Sequence, residues 1–228
     1  MATLLEKNEV DVETTPARRS DEFEVVESER GLGRNTPQRV GGKLWAPMLA
    51  MAIAAFAVGL GLGIYRSSLI AGGDPAQAAN IAALEHVTAG VLFIGFLAVF
   101  SAIVFAIARI LGEFRAGGGT VQEAAGARVQ TLKMPKTGRV MLVSMALGMM
   151  VLLAAIIAHF VAAAGVTGAE ADLLRSEQWF HTLEGVRRIG VAIYLLGIAF
   201  GLATIIHVLR FQSVRVRELA AEVSERRG

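Results

Sequence analysis

The sequence predicts an all-α integral membrane protein with four transmembrane helices. Hydrophobic residues make up 54% of the 228 residues and charged residues only 18%, with a mean hydropathy of +0.54, which exceeds what soluble domains carry. Four apolar segments, at residues 44–65, 90–111, 140–165 and 189–209, each have the roughly 20 residues that a helix needs to cross a bilayer. The lipid bilayer is therefore the first expected partner.

The segments on either side of this four-helix domain are polar. Residues 1–43 show almost no periodic apolar pattern and include the run GLGRNTPQ, so they are predicted to form a disordered tail. A cleavable signal peptide is not expected, because the first apolar segment starts too late and is too long. Residues 210–228 are predicted to continue the fourth helix as an amphipathic extension whose basic residues suit anionic headgroups.

Lysine and arginine are distributed unevenly among the regions that flank the apolar segments. They cluster before the first segment, between the second and third, and after the fourth. The two remaining loops carry only Arg66 and Arg175, apart from the pair Arg187 and Arg188 at the membrane edge. Because cytoplasmic loops carry the excess of positive charge, both termini are predicted to face the cytoplasm, in a bacterial cytoplasmic membrane. The basic residues follow from this topology, so nucleic-acid binding is not expected.

The second and fourth helices are predicted to extend beyond the outer membrane face. Asp74 is a suitable N-cap with Pro75 at the first helical position, and apolar residues keep helical spacing from there into the second segment. A similar stretch precedes the fourth segment, where Trp179 and Phe180 suit the interfacial aromatic belt. Both outer connections are therefore expected to be largely helical.

An internal repeat relates the two halves of the domain. The stretch HVTAGVLFIG at residues 86–95 returns as HTLEGVRRIG at residues 181–190. This spacing predicts two tandem related helical hairpins, residues 44–111 and 140–209, that pack together as a four-helix bundle. A pseudo-twofold axis along the membrane normal would relate one hairpin to the other. Such an axis would place His86 and His181 at the same depth, facing each other.

Two facing histidines at one depth favour a b-type haem site near the outer face. Intramembrane or boundary histidines are candidate functional residues, and His86 and His181 could supply the two axial ligands. The glycines one turn along each helix would leave room for the macrocycle, and two arginines could pair with its propionates. These four residues are Gly90, Gly185, Arg187 and Arg188. In architecture the chain resembles the small four-helix haem-bearing subunits of respiratory complexes.

Two alternatives to haem are compatible with the same residues. A Zn or Cu site could be built from imidazoles and a carboxylate, with His159 and Glu184 joining His86 and His181. Alternatively, no cofactor is bound, the histidines hydrogen-bond to backbone or headgroups, and the glycines permit close helix contacts. The chain has no cysteine, which excludes disulfides and thiolate metal sites.

Three functions are compatible with these observations, and one of them is favoured. The apolar segments contain no paired carboxylates and no nucleophile with a base, so catalysis by this chain alone is not expected. The leading hypothesis is an accessory subunit of a multi-subunit membrane complex that passes electrons through one b-type haem to or from protein partners. The alternative is a cofactor-free structural anchor or assembly protein, and the third is a Zn- or Cu-binding membrane protein.

Overall fold

Four long helices dominate the computed structural model, which describes residues 20–28 and 33–226. They are α1 (Thr36–Gly72), α2 (Ala78–Ala124), α3 (Lys136–Ala164) and α4 (Glu170–Glu225), and two short strands, β1 (Val25–Ser28) and β2 (Val129–Leu132), accompany them. Each of these four helices is long and apolar enough to cross a membrane. The predicted all-α bundle is confirmed, and its apolar helices indicate an integral membrane protein in contact with lipid.

Capping residues mark both ends of α1 and the start of the turn that leads into α2. Asn35 caps α1 in a capping box with Gln38, each side chain accepting a hydrogen bond from the other residue's backbone N–H. Gly73 ends α1 in the left-handed conformation, with a φ of 67°. The Asp74 side chain then accepts from the N–H of Ala76 at 2.9 Å, in the short 3₁₀ turn that leads into α2.

Helices α2 and α4 are much longer than a bilayer is thick. They contain 47 and 56 residues, or about 70 and 84 Å at about 1.5 Å per residue, against a hydrocarbon layer of about 30 Å. We call the end of the bundle where α1 and α3 end the histidine end, because His86 and His159 lie there. The opposite end, where α2 and α4 end, is the basic end.

The polar segments differ from the sequence-based expectation where the structure describes them. Residues 20–28, expected to be part of a disordered tail, form a 3₁₀ turn and β1, which pairs antiparallel with β2. Residues 1–19 and 29–32 of that predicted tail lie outside the described residues. The three consecutive glycines at 117–119 lie within α2. Gly118 faces the side chain of Gln212 on α4, so the missing side chain permits close helix packing.

Helix α2 is the centre of the bundle. It packs against α1, α3 and α4, and α3 packs against α4, whereas the substantial contacts of α1 are with α2 alone. The hydrophobic core comes from α2, α3 and α4, with Phe100, Met145, Leu152 and Tyr194 among its buried members. A twofold axis between the hairpins would exchange α1 with α3 and α2 with α4, so α1 should pack on α4 as extensively as α3 packs on α2. The structure shows no such extensive contact between α1 and α4. The predicted tandem repeat is therefore not confirmed by the helix packing.

Candidate functional site: a buried histidine pair

His86 of α2 and His159 of α3 meet inside the bundle at the histidine end. Both side chains are 0% exposed, and their Nδ1 atoms are 3.0 Å apart. The Nε2 atom of His86 lies 3.2 Å from the backbone oxygen of Ser176 on α4 and 3.1 Å from its hydroxyl. The imidazole of His86 thus links α2 to both α3 and α4.

The contacts of His86 favour one arrangement of protons in the pair. The Ser176 carbonyl can only accept a hydrogen bond, which favours a proton on Nε2 of His86. Nδ1 of His86 is then the acceptor, and Nδ1 of His159 donates to it. This leaves Nε2 of His159 as a buried lone pair with no hydrogen-bond partner among the described residues.

Two residues of α4 that sequence reasoning did not single out as site residues complete the surroundings. Ser176 is 8% exposed and supplies both contacts to His86. The ring of Phe180 stands edge-on to both imidazoles, with centroid distances of 5.6 Å to His86 and 5.8 Å to His159. Both residues lie on the inward face of α4, and Phe180 was assigned from sequence only to the interfacial belt.

The structure does not bring His86 and His181 together. His181 is exposed on α4, and Gly185, one turn further, has no atom of another element near the position of a Cβ. Glu184 forms an ion pair with Arg188 on the same helix and is not a neighbour of the histidine pair. Of the four predicted metal ligands, only His86 and His159 therefore meet.

Gly90 and Arg187 both pack against aromatic rings. A Cβ on Gly90 would lie 3.1 Å from the ring of Phe160, so this glycine accommodates an aromatic side chain of α3. Arg187 is 6% exposed, and its guanidinium lies 4.5 Å from the centroid of Phe93 and 5.3 Å from that of Phe180.

A second polar cluster, at the basic end, connects α4 to α2 and to the N-terminal segment. Arg215 is 6% exposed and donates to Gln122 at 3.3 Å, to Glu218 at 3.1 Å and to Glu222 at 3.0 Å. Glu218 also accepts from the backbone N–H of Ser20 at 2.7 Å. Burial raises the pKa of Glu218, but the hydrogen bonds from Ser20 and Arg215 outweigh it and hold the pKa below its usual range. The cluster binds the N-terminal segment to α4, and its groups already have partners.

No protein-family model, curated protein or solved structure matches this chain. Function must therefore be argued from the site alone. Within residues 20–28 and 33–226, no group of three or more His, Asp or Glu side chains is placed to hold a metal ion. His86 and His159 are the two predicted ligands that the structure brings within hydrogen-bond distance of each other.

Proposed function

We propose that the protein is an integral membrane anchor or assembly subunit that binds a partner membrane subunit along the outward face of α1. The observation that carries this proposal is the composition of that face. Helix α1 buries only Gly41, Ala52 and Gly59 among its 37 residues, and Gly59 lies directly against Leu92 of α2.

A stripe of small residues runs along the outward face of α1, between exposed large apolar side chains such as Ile53 and Val58. With about 100° of rotation per residue, Ala50, Ala54, Ala57 and Gly61 fall on the side opposite Ala52 and Gly59, and all four are exposed. Small residues on a membrane helix let another backbone approach closely, and that contact supplies the packing that drives helix association in lipid. Because the substantial contacts of α1 are with α2 alone, this face is free to receive a partner helix. We place the protein in a bacterial cytoplasmic membrane with both termini in the cytoplasm.

Crosslinking from single cysteines tests the role of α1. The natural chain has no cysteine, so Ala54→Cys introduces a unique site on the outward face, and Leu147→Cys on the exposed side of α3 is the matched control. We expect a thiol-directed crosslinker in native membranes to join Ala54→Cys, and not Leu147→Cys, to a different membrane protein. Equal yields from the two sites, or a product containing only this chain, would contradict the anchor role.

The haem and metal hypotheses stay predictions, and the same preparation tests them. Two protein nitrogens of a tetrahedral metal ion lie about 3.3 Å apart when each bond is about 2.0 Å, which is close to the His86–His159 separation of 3.0 Å. This similarity makes a Zn or Cu ion the second candidate. An absorption spectrum and elemental analysis of the detergent-purified protein decide between these functions. A Soret band, or stoichiometric metal that is lost in His86→Ala, would replace the cofactor-free proposal.

A further inference from the structure

A cavity of about 420 Å³ lies between α2 and α4 at the histidine end. Phe93 of α2 forms one wall, and Arg187, Arg188, Val191 and Leu195 of α4 are among the residues of the other. Arg188 is exposed on the side towards the helix start, and Leu195 is 51% exposed on the side towards the middle of the bundle. The cavity is thus a groove open to the outside of the bundle, with two arginines and Glu184 at its polar head and an apolar floor.

Arg187 is a buried cation without an anionic partner in the part of the chain that the structure describes. It takes part in no hydrogen bond or ion pair there, and its buried Nε lacks a partner. Glu184, the acidic residue nearest in sequence on the same helix, also lines the groove, where it forms an ion pair with Arg188 and not with Arg187. The rings of Phe93 and Phe180 stabilise the guanidinium by cation–π contacts, which offset only part of the cost of burying a charge.

We propose that this groove binds an anionic phospholipid, with its phosphate at Arg187 and Arg188 and the start of one acyl chain along Val191 and Leu195. Guanidinium groups are suited to bind phosphate through paired N–H donors. The two arginines stand at the edge of the apolar segment 189–209, which is the depth at which a lipid phosphate meets a membrane helix. The apolar floor favours a lipid over a soluble anion, because a free phosphate would gain nothing from those side chains.

Binding to dioctanoyl lipids tests the proposal with the full chain in detergent. We expect phosphatidylglycerol to bind at least about tenfold more tightly than phosphatidylcholine of the same chain length, since the zwitterionic headgroup lacks the net negative charge. Arg187→Gln should weaken phosphatidylglycerol binding by about tenfold or more, and Arg187→Lys by less, because charge remains. Arg210→Gln, an exposed arginine at the basic end of the same helix, is the matched control and should bind as the natural protein does.

A variant of the apolar floor separates lipid binding from a folding defect. Ala192 lines the groove and is exposed, so Ala192→Phe fills the space for the acyl chain without changing the charge. A folded Ala192→Phe protein with unchanged affinity for phosphatidylglycerol would overturn the proposal, whether or not Arg187→Gln folds. Inorganic phosphate binding as tightly as the lipid would assign the arginines to a soluble anion. Release of a bound tetrapyrrole in Arg187→Lys would assign them to its propionates. Either result overturns the lipid site.

Discussion

The contact between His86 and His159 is shielded from bulk solvent, because both side chains are 0% exposed. A hydrogen bond in a buried site adds only about 1 kcal/mol net, but leaving one of its polar groups unpaired costs about 1–3 kcal/mol. The hydrogen bond between His86 and His159 therefore joins α2 to α3 inside the bundle.

Removal of one histidine should show how much the hydrogen bond between His86 and His159 contributes to the free energy of unfolding. His159→Ala leaves Nδ1 of His86 without its partner and opens a cavity beside Phe180, so we expect a loss of unfolding free energy of about 2–4 kcal/mol. His181→Ala is the matched control, because that side chain is exposed and should change stability by less than about 0.5 kcal/mol. Thermal and denaturant unfolding of the two variants in the same detergent measures the difference. Equal destabilisation by both changes would contradict the pairing.

The pairing of His86 with His159, and not with His181, could have been predicted from helical spacing. On α4 the residues 176, 180, 183, 187, 190 and 194 follow alternating steps of three and four, and all six lie on the inward face. His181 falls off this series, whereas His159 belongs to the corresponding series on α3. The repeated motif fixes the spacing of histidine and glycine within a helix. It does not fix how the helix is rotated towards its neighbours, and that rotation decides which histidines meet.

At the scale of helices and strands, composition specified the apolar segments well and the polar ones poorly. A run of about 20 apolar residues is an unambiguous signal because lipid requires it. The N-cap role of Asp74 could also be predicted, because its side-chain carboxylate is a hydrogen-bond acceptor directly before Pro75. Strands β1 and β2 were missed because each has only four residues and its partner lies about a hundred positions away in sequence. No local pattern reports such a pairing.

An aromatic residue, Phe23, helps to hold the N-terminal segment to the bundle, together with the strand pairing and the hydrogen bond from Ser20 to Glu218. The ring of Phe23 packs against Phe211, which is 0% exposed, and against His207, with a centroid distance of 5.5 Å in each case. Beside it, the backbone N–H of Lys133 donates to the oxygen of Glu24 at 2.8 Å, extending the pairing of the two strands. Docking of residues 20–28 therefore depends on the contact of Phe23 with α4.

Phe23→Ala should release this segment without unfolding the helices. Loss of the two ring contacts and of buried apolar area removes about 1.5 kcal/mol or more, which corresponds to about tenfold faster amide exchange. We expect this increase in β1, β2 and Lys133, with α4 unchanged, in hydrogen–deuterium exchange read by mass spectrometry. Val26→Ala, at a side chain that is 49% exposed, is the control. Unchanged exchange in Phe23→Ala would show that the strand pairing alone holds the segment.

Across the whole molecule, the helices form a three-helix core with α1 added at one side. The core residues come from α2, α3 and α4, while α1 packs along α2 through close approaches such as Gly59 to Leu92. A sequence repeat constrains local structure, but the order in which helices pack depends on side-chain shape across interfaces, which the repeated motif does not contain. This arrangement leaves the outward face of α1 available and makes α1 the element expected to carry partner contacts.

The distribution of positive charge along the bundle predicts its orientation. With four crossings, the segment before α1 and the end of α4 lie at the same end of the molecule, together with the α2–α3 connection. That basic end carries most of the lysines and arginines, whereas the histidine end carries few, so the basic end should remain in the cytoplasm.

In the cysteine-free chain, Ala220→Cys marks the basic end and Ala71→Cys the histidine end, and both positions are exposed. We expect a membrane-impermeant maleimide to label Ala71→Cys in intact spheroplasts and Ala220→Cys only after permeabilisation. The reverse pattern would overturn the orientation, and labelling of both sites from one side would overturn the four crossings.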